Sequence, residues 1–193
     1  MISAGRSGQR RIKNTSFLRS KRLILRPLQE KDINQRYLSW LNDREVIRHL
    51  ESIVFPATMF YLRRFYNRIS KSKSDIMFTI VDRKKHVHIG NIKLGNINWV
   101  HRYADLGIMI GDKQYWGKGY GTEACRLLLG YAFCGLELNK VFLGVSADHR
   151  FAIKAYKKAG FKIEGRLKKM IHYSGKYVDK ILMGILREDF KAK

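Results

Sequence analysis

The sequence predicts an α/β protein built on a mixed β-sheet. Three observations support this: strand-like and helix-like segments alternate, a glycine-rich loop joins a strand to a helix, and a hairpin turn precedes the last strand. At 193 residues, of which 45% are hydrophobic, the chain is long enough for one domain with a buried core. No apolar run approaches the roughly 20 residues that a membrane-spanning helix needs, so no association with a membrane is expected.

Runs of β-branched and aromatic residues predict seven strands, and apolar residues at helical spacing predict five helices. The predicted strands cover residues 22–28, 76–81, 86–94, 103–110, 140–145, 161–173 and 177–187. The predicted helices cover residues 32–41, 44–50, 56–69, 122–133 and 149–159. Asp32 and Asp43 suit N-caps, Gly160 suits the position after the last helix, and residues 95–98 are typical of a loop.

The chain is strongly basic, with 39 Lys and Arg against 16 Asp and Glu and a formal charge of +23. A field of this sign attracts anionic ligands, and it predicts a weak association with nucleic acid. Residues 1–20 contain Ser, Gly and Arg and no acid, which predicts a basic N-terminal arm ahead of a domain at 21–193. An organellar transit peptide is the alternative interpretation of that arm.

Cys125 and Cys134 fall in one predicted helix, about 13 Å apart along its axis, which is too far for a disulfide. Neither has a second cysteine or a histidine at the spacing of a metal site. Both are expected to be reduced, buried thiols, which is typical of a cytoplasmic protein. His86 and His88 are predicted to share a strand face but lack a third ligand, so no metal site is expected.

A glycine-rich segment, residues 114–124, combines a sharp turn with the start of a helix. Its glycines, Gly117, Gly119 and Gly121, let the backbone turn and approach a ligand closely. The first N–H groups of the helix lack internal partners and lie at the positive end of its dipole, so they form an anion site. The spacing excludes the ATPase loop, and Gly-x-Gly-x-Gly is not the dinucleotide fingerprint Gly-x-Gly-x-x-Gly.

This segment resembles the acetyl-CoA-binding motif Gln/Arg-x-x-Gly-x-Gly/Ala of the GNAT acetyltransferase superfamily. Two registers are compatible with the motif. With Trp116 in the first position the glycines are Gly119 and Gly121, and with Gln114 in the first position they are Gly117 and Gly119. We prefer the register of Trp116, because in the other register the helix would begin before its predicted start.

A second segment, residues 149–161, resembles the family's Asn-x-x-Ala/Ser motif that leads to Tyr, Lys and Gly-Phe. Ala152, Tyr156 and Gly160 match it, but His149 stands where the family has Asn. The likeness spans roughly residues 20–190 and points to the branch with ribosomal-protein and nucleotide-amino-sugar N-acetyltransferases. It implies a single-domain GNAT-like fold, with a mixed, mostly antiparallel sheet of about seven strands, a splayed fourth strand and helices on both faces.

The resemblance implies transfer of an acetyl group from acetyl-CoA, as cosubstrate, to a primary amine. The pyrophosphate would bind to backbone amides of the glycine-rich loop, namely those of Gly117, Lys118, Gly119, Tyr120, Gly121 and Thr122. Backbone groups of the fourth strand, at Ile108, Met109 and Ile110, would hold the pantetheine arm, and one amide there would support the oxyanion. His149 would also help to hold that arm, since an imidazole can donate one hydrogen bond and accept another.

Two residues are implied in proton transfer. Tyr156 would protonate the leaving thiolate, and Asp105 in the fourth strand would act as general base through a water molecule. The alternatives are a core tyrosine and a carboxylate paired with Arg102 or a lysine. The acceptor would bind between the early helices and the last hairpin. The candidate residues there are Trp40, Asn42, Asp43, His172 and Tyr173.

Residues 40–46 resemble acetyltransferases that modify amino groups of nucleotide-linked sugars, and the basic surface suits such an anion. A nucleotide-linked amino sugar is therefore the first acceptor that we expect. The alternative acceptor is the N-terminal amine of a ribosomal or other protein, and a homodimer is left open. A catalytically inactive nucleic-acid-binding module is a third alternative, although the sequence lacks the usual RNA-recognition signatures.

Overall fold

Eight strands form one mixed sheet in the part of the chain that the computed structural model describes, residues 17–50, 55–173 and 175–191. In chain order they are β1 (Leu18–Arg19), β2 (Leu23–Pro27), β3 (Ile76–Asp82), β4 (Val87–Asn98), β5 (Tyr103–Ile110), β6 (Lys140–Ser146), β7 (Lys162–Tyr173) and β8 (Lys176–Leu186). Across the sheet the order is β1-β2-β3-β4-β5-β6-β8-β7. Neighbours are antiparallel except for β5 and β6, which are parallel. The mixed, mostly antiparallel sheet is confirmed, with one strand more than predicted.

The additional strand, β1, lies at the end of the predicted basic arm. Its two residues pair with β2, and the ring of Phe17 stacks on Phe78 with 5.7 Å between the centroids. Residues 17–20 therefore belong to the folded domain. The rest of the predicted arm, residues 1–16, lies outside the described residues.

Five α-helices accompany the sheet in the described ranges. They are α1 (Gln35–Leu41), α2 (Arg44–Ile47), α3 (Met59–Lys71), α4 (Tyr120–Gly130) and α5 (Arg150–Ala159), and a π-helical turn, Tyr131–Gly135, extends α4. Among these described helices, none is both long and apolar enough to cross a membrane.

Two of the three predicted helix-end residues are confirmed. Asp43 is the N-cap of α2 and accepts from the N–H of Glu45, and Gly160 follows α5 with a left-handed φ of 113°. The predicted cap at Asp32 is wrong, because the carboxylate of Asp32 is buried in an ion pair with Arg26 at 2.6 Å. Instead, the side chain of Asn34 caps α1.

Helices lie on both faces of the sheet, and each face has its own core. Along β3, Phe78 points into the main core, which includes residues of α4 and α5, whereas Met77 packs against a cluster formed with α1 and α3. The same alternation separates Ile108 from Met109 on β5. Any ligand that crosses the sheet near β5 would therefore pass from the α4–α5 side to the α1–α3 side.

Strand β4 differs from its prediction at both ends. His86 lies in the preceding turn with a φ of 55°, so it does not share a strand face with His88. At the other end, residues 95–98 belong to the strand, although they were predicted as a loop. Gly95 lies within this strand, opposite Asp105 of β5.

Both cysteines are free, as predicted, but only one of them is buried. Cys125 lies inside the core, and burial raises the pKa of its thiol to about 12. Cys134 is exposed on the π-helical turn, so its predicted burial is wrong. On that turn it is Phe133 that enters the core, with 1% of its surface exposed.

Candidate active site

A gap in the sheet opens between β5 and β6. The two strands pair only at residues 103–105 and 140–142. Beyond these residues β5 pairs with β4 alone, and β6 pairs with β8 alone. Backbone N–H and C=O groups on the two facing edges therefore have no strand partner across the gap. The fourth predicted strand, β5, is splayed from its neighbour, and the gap can accept an extended ligand that carries amide groups.

The glycine-rich loop follows β5 at its C-terminal end. Gly117 and Gly119 have left-handed φ values of 69° and 83°, which residues with a side chain adopt only with strain. Gly119 is the N-cap of α4, and the first helical hydrogen bond runs from Glu123 N to Gly119 O at 3.1 Å. The three N–H groups before that bond lie at the positive end of the helix, so they form an anion site.

The start of α4 can be compared with the two possible registers of the glycine motif. The helix begins at Tyr120, two residues before its predicted start, so our reason for rejecting the register of Gln114 fails. The glycines of that register, Gly117 and Gly119, are the two with left-handed backbone, whereas Gly121 lies inside the first turn of α4. The motif accepts Ala in its last position, which fits the helical Gly121 and not the left-handed Gly119, so the register of Trp116 stays our prediction.

Two hydrogen bonds connect the loop to the walls of the gap. The indole N–H of Trp116 donates to the carbonyl of Ile110 at 2.7 Å, so that carbonyl is already engaged. The hydroxyl of Thr122 donates to the carbonyl of Ala155 at 3.3 Å and joins the first turn of α4 to α5. Backbone groups of Ile108 and Met109 remain candidates for the pantetheine arm, and this role stays a prediction.

Tyr156 and Asp105 are both brought to the gap. Tyr156 lies on α5, half-buried against the main core, with its ring 5.9 Å from that of Phe161. Burial raises the pKa of its hydroxyl, and the charges of Cys125 and Asp105 add to this. Asp105 is paired with Phe142 at the point where β5 and β6 separate. A protonated tyrosine and a carboxylate at the same gap can supply an acid and a base, as the sequence predicts.

A cluster of side chains forms where the end of α2, the link between β6 and α5, and the end of β7 meet. The ring of His149 stacks on that of His49, with centroids 3.9 Å apart and an angle of 13° between the planes. Burial lowers the pKa of His149 to about 4, and the neighbouring His49 adds to this. Asp148 lies 3.7 Å from both Arg48 and His49. His149 is the N-cap of α5 and makes no side-chain capping hydrogen bond, and its contact with the pantetheine arm stays a prediction.

Sequence reasoning missed Arg48 and His49. They fall at the end of a short predicted helix, and no motif or spacing singles them out. Their importance appears only because α2 packs near residues that follow it in sequence by about a hundred positions, such as Asp148. The guanidinium of Arg48 also lies 5.1 Å from the ring centre of Tyr173, one of the predicted acceptor residues. The expected meeting of the early helices with the last hairpin is therefore present.

The other acceptor candidates have structural partners. Trp40 is 7% exposed and packs so closely on Gly111 that a Cβ there would lie 2.0 Å from its ring. The side-chain amide of Asn42 exchanges two hydrogen bonds of 2.9 Å with the backbone of Ala57. Asp43 caps α2 and pairs with Lys113 at 2.8 Å. Contact of these residues with an acceptor stays a prediction, as it does for His172, which is exposed beside Tyr177.

Comparison with known proteins identifies the family. Residues 22–162 match the model of the acetyltransferase (GNAT) domain. The chain is 33% identical to spermidine N(1)-acetyltransferase of Escherichia coli (strain K12) over 171 residues, 88% of each protein. It is 32% identical to the putative ribosomal N-acetyltransferase YdaF of Bacillus subtilis (strain 168) over 104 residues, 54% of this chain and 56% of that protein.

Among solved structures, the fold is similar to spermidine N-acetyltransferase from Vibrio cholerae in complex with CoA and spermine. The TM-score is 0.81 at 27% identity, and the match covers 89% of this chain and 99% of that chain. The gap, the glycine-rich loop and the two matched motifs agree with these similarities. The chain therefore belongs to the GNAT acetyltransferase family and is an acetyl-CoA-dependent N-acetyltransferase.

Proposed function

We propose that the enzyme acetylates a primary amine carried by an anionic small molecule, with a nucleotide-linked amino sugar as the first candidate. The observation that carries this proposal is the charge on the acceptor side of the gap. There, carboxylates are paired with arginine or lysine, and two further cations are Arg48, beside Asp148, and Lys93, opposite Gly107 of β5. An acceptor with several positive charges would meet few available carboxylates, whereas a phosphate would meet donors.

The carboxylates around α1 and α2 are engaged by basic side chains. The pairs are Arg26–Asp32, Arg36–Asp112, Lys113–Asp43 and Lys113–Glu45, with distances between 2.6 and 2.8 Å. A hydrogen bond from Lys113 holds the pKa of Asp43 below its ordinary value, so this carboxylate is ionised at neutral pH. Three cations serve these four carboxylates, because Lys113 contacts both Asp43 and Glu45, so a polyamine would have to compete with a side chain for every one of these pairs.

Arg48, just after α2, has donors left for a ligand. Its guanidinium is 3.7 Å from Asp148, which is longer than a hydrogen bond, and its side chain is 48% exposed. The cation–π contact with Tyr173 limits the orientations of the guanidinium without consuming its N–H groups. A planar fork with free donors matches a phosphate with two parallel hydrogen bonds.

Lys93 on β4 adds a second cation near the gap. It is opposite Gly107 of β5, and Asp105 is opposite Gly95, so Lys93 and Asp105 share a face at diagonal positions. The two glycines leave room for the lysine, since a Cβ at Gly107 would lie 3.2 Å from its Cε. A cation here repels additional ammonium groups on an acceptor, and it favours the neutral form of the single amine that reacts.

In the proposed reaction the amine nitrogen attacks the carbonyl carbon of the thioester, the C–S bond breaks, and CoA leaves as its thiol. Asp105 accepts the proton that the amine loses, through a water molecule, and the hydroxyl of Tyr156 donates a proton to the departing thiolate. A backbone N–H on the open edge of β5 stabilises the oxyanion. The hydroxyl of Tyr156 is protonated at neutral pH and can donate a hydrogen bond to the departing thiolate, although its raised pKa opposes complete proton transfer.

The test is release of CoA thiol from acetyl-CoA with three acceptors: a nucleotide-linked amino sugar, spermidine and a peptide with a free N-terminus. We expect kcat/KM for the nucleotide sugar to exceed that for spermidine by about 100-fold. Arg48→Ala should raise the KM for the nucleotide sugar about tenfold and leave the KM for acetyl-CoA unchanged. Arg44→Ala, which removes an exposed arginine from α2, is the matched control. Turnover of spermidine above that of the sugar would reject the proposal.

A polyamine is the second candidate, and the similarity to spermidine acetyltransferases favours it. The protein N-terminus predicted as the alternative acceptor has the shorter match to YdaF in its support. The same assay separates the three, because each acceptor represents one of them. The third alternative, an inactive nucleic-acid-binding module, does not agree with the family to which the chain belongs.

A further inference from the structure

Arg22, directly before β2, covers the outside of the glycine-rich loop. Its Nη1 donates to the carbonyl of Lys118 at 3.0 Å, and its guanidinium carbon lies 4.3 Å from the ring centre of Tyr120. Its Nη2 is 3.5 Å from the place where a Cβ of Gly119 would be. One side chain from a distant segment therefore contacts three consecutive residues of the loop.

The guanidinium itself is held firmly by Glu123, in the first turn of α4. Nε and Nη2 of Arg22 lie 2.7 and 2.6 Å from Oε2 of Glu123. The other oxygen of this carboxylate accepts from the hydroxyl of Ser20 at 2.8 Å and from the backbone N–H of Arg22 at 3.0 Å. Burial raises the pKa of Glu123, but these hydrogen bonds outweigh it and keep the pKa below its ordinary value. The ionised carboxylate of Glu123 therefore holds Arg22 in a fixed position beside the loop.

The hydrogen bond to Lys118 also determines where the next N–H points. A peptide group is planar and trans, so the carbonyl of Lys118 and the N–H of Gly119 point in opposite directions. When Arg22 draws the carbonyl to its own side, the N–H of Gly119 turns to the opposite side of the loop. A peptide next to glycine can rotate at little steric cost, so it needs such a partner to hold one orientation.

We propose that Arg22 is a positioning residue for acetyl-CoA, which orients the peptide between Lys118 and Gly119 so that its N–H binds the pyrophosphate. The guanidinium does not touch the cofactor in this arrangement. It acts through the backbone, and Glu123 with Ser20 keeps it in place. The proposal concerns the cofactor alone and is independent of the identity of the acceptor.

Arg22→Ala should raise the KM for acetyl-CoA about tenfold and change kcat at saturating acetyl-CoA less than about twofold. Arg166→Ala is the control, because it also breaks an ion pair with a carboxylate, that of Asp179, but on β7 and β8. Thermal unfolding of both variants shows the stability cost of losing such a pair. A KM for acetyl-CoA that does not change in Arg22→Ala, or that rises equally in both variants, would overturn the proposal.

Two further measurements separate orientation from simple charge. Arg22→Lys keeps the charge but cannot bridge Lys118 and Glu123, so its KM should stay well above that of the wild type; a full return to the wild-type KM would overturn the proposal. In calorimetry, Arg22→Ala should weaken the binding of CoA and the binding of 3′-dephospho-CoA by the same factor. If only the affinity for CoA falls, the guanidinium contacts the 3′-phosphate directly, and this result would contradict the proposal.

Glu123→Gln provides the test if Arg22→Ala does not fold. The single amide oxygen replaces only one of the two carboxylate oxygens, so the hydrogen bond from Ser20 or the one from the guanidinium is lost together with the charge. We expect the KM for acetyl-CoA to rise about threefold, since a charge-assisted hydrogen bond is roughly twice as strong as a neutral one. A wild-type KM in Glu123→Gln would show that the anchor is unnecessary and reject the proposal.

Discussion

The proposed cofactor side and the proposed acceptor side of the gap are built in different ways. On the cofactor side, one continuous segment, residues 114–124, supplies backbone N–H groups where α4 begins. On the acceptor side, side chains come from separate places in the chain. Arg48 follows α2, Lys93 lies on β4, Asp148 precedes α5, and Tyr173 ends β7.

This difference affects how easily amino-acid substitutions alter what each side binds. A backbone site depends on a few glycines and a helix start, so most side-chain substitutions around it leave its chemistry intact. A site made of scattered side chains changes with single substitutions. One half of the gap can therefore keep its specificity for acetyl-CoA while the other half comes to accept different amines, which fits relatives whose names include both spermidine and ribosomal acetyltransferases.

The largest expected effect is at Tyr156, which lies between the two sides. Tyr156→Phe removes the hydroxyl and keeps the ring, so we expect kcat to fall about 100-fold while the KM for acetyl-CoA changes less than about threefold. Steady-state kinetics of thiol release measures both. Tyr177→Phe is the control, since that tyrosine is 66% exposed on β8. An unchanged kcat in Tyr156→Phe would remove this residue from proton transfer.

An intermediate effect is expected on the cofactor side, at Gly117. Gly117 and Gly175 have similar left-handed φ values, 69° and 76°, and a Cβ at either position would meet nothing within 4 Å. Changing either to Ala should therefore cost a similar strain, about 1–2 kcal/mol. Only Gly117→Ala should raise the KM for acetyl-CoA, about tenfold, because only Gly117 belongs to the anion site. Equal KM values for the two variants would show that the loop conformation does not limit cofactor binding.

The cofactor side could be predicted from the sequence because its information is local. Glycine spacing, a preceding strand and a following helix are all contained in residues 103–133. The remaining error is the helix start, which was placed at Thr122 instead of Tyr120. Helix ends are poorly determined by sequence, and here Gly121 inside the first turn made the helix look shorter than it is.

The acceptor side could not be predicted in the same way. The stack of His49 on His149 and the contact of Arg48 with Tyr173 join residues that no local pattern connects. Three of the five predicted candidates came from one segment, residues 40–46, in which Trp40 proved to be buried against Gly111. A large aromatic residue on an amphipathic helix is as suitable for a core as for a pocket, and only the packing distinguishes the two.

The smallest expected effect concerns His149, where the two sides meet. Burial lowers the pKa of His149 to about 4, below the ordinary value of 6.5. Unfolding therefore takes up a proton between these two values, and stability is lost as the pH falls through this window. His149→Asn introduces the residue that is usual in the family and removes the proton uptake at this position. Burial also lowers the pKa of His88 to about 4. Because His88 is present in both proteins, its contribution to the pH dependence of stability cancels in the comparison.

Between pH 7 and pH 4.5, the free energy of unfolding of the wild type should fall by about 1 kcal/mol more than that of His149→Asn, a value reduced because the imidazole is partly exposed. Urea denaturation at the two pH values measures this, with His86→Asn in the exposed turn as the control. Parallel pH dependence in all three proteins would exclude the linkage. If His149→Asn also keeps its KM for acetyl-CoA but loses affinity for the acceptor, His149 belongs to the acceptor side. The boundary between the two halves would then run through the residue that the family motif assigns to the cofactor.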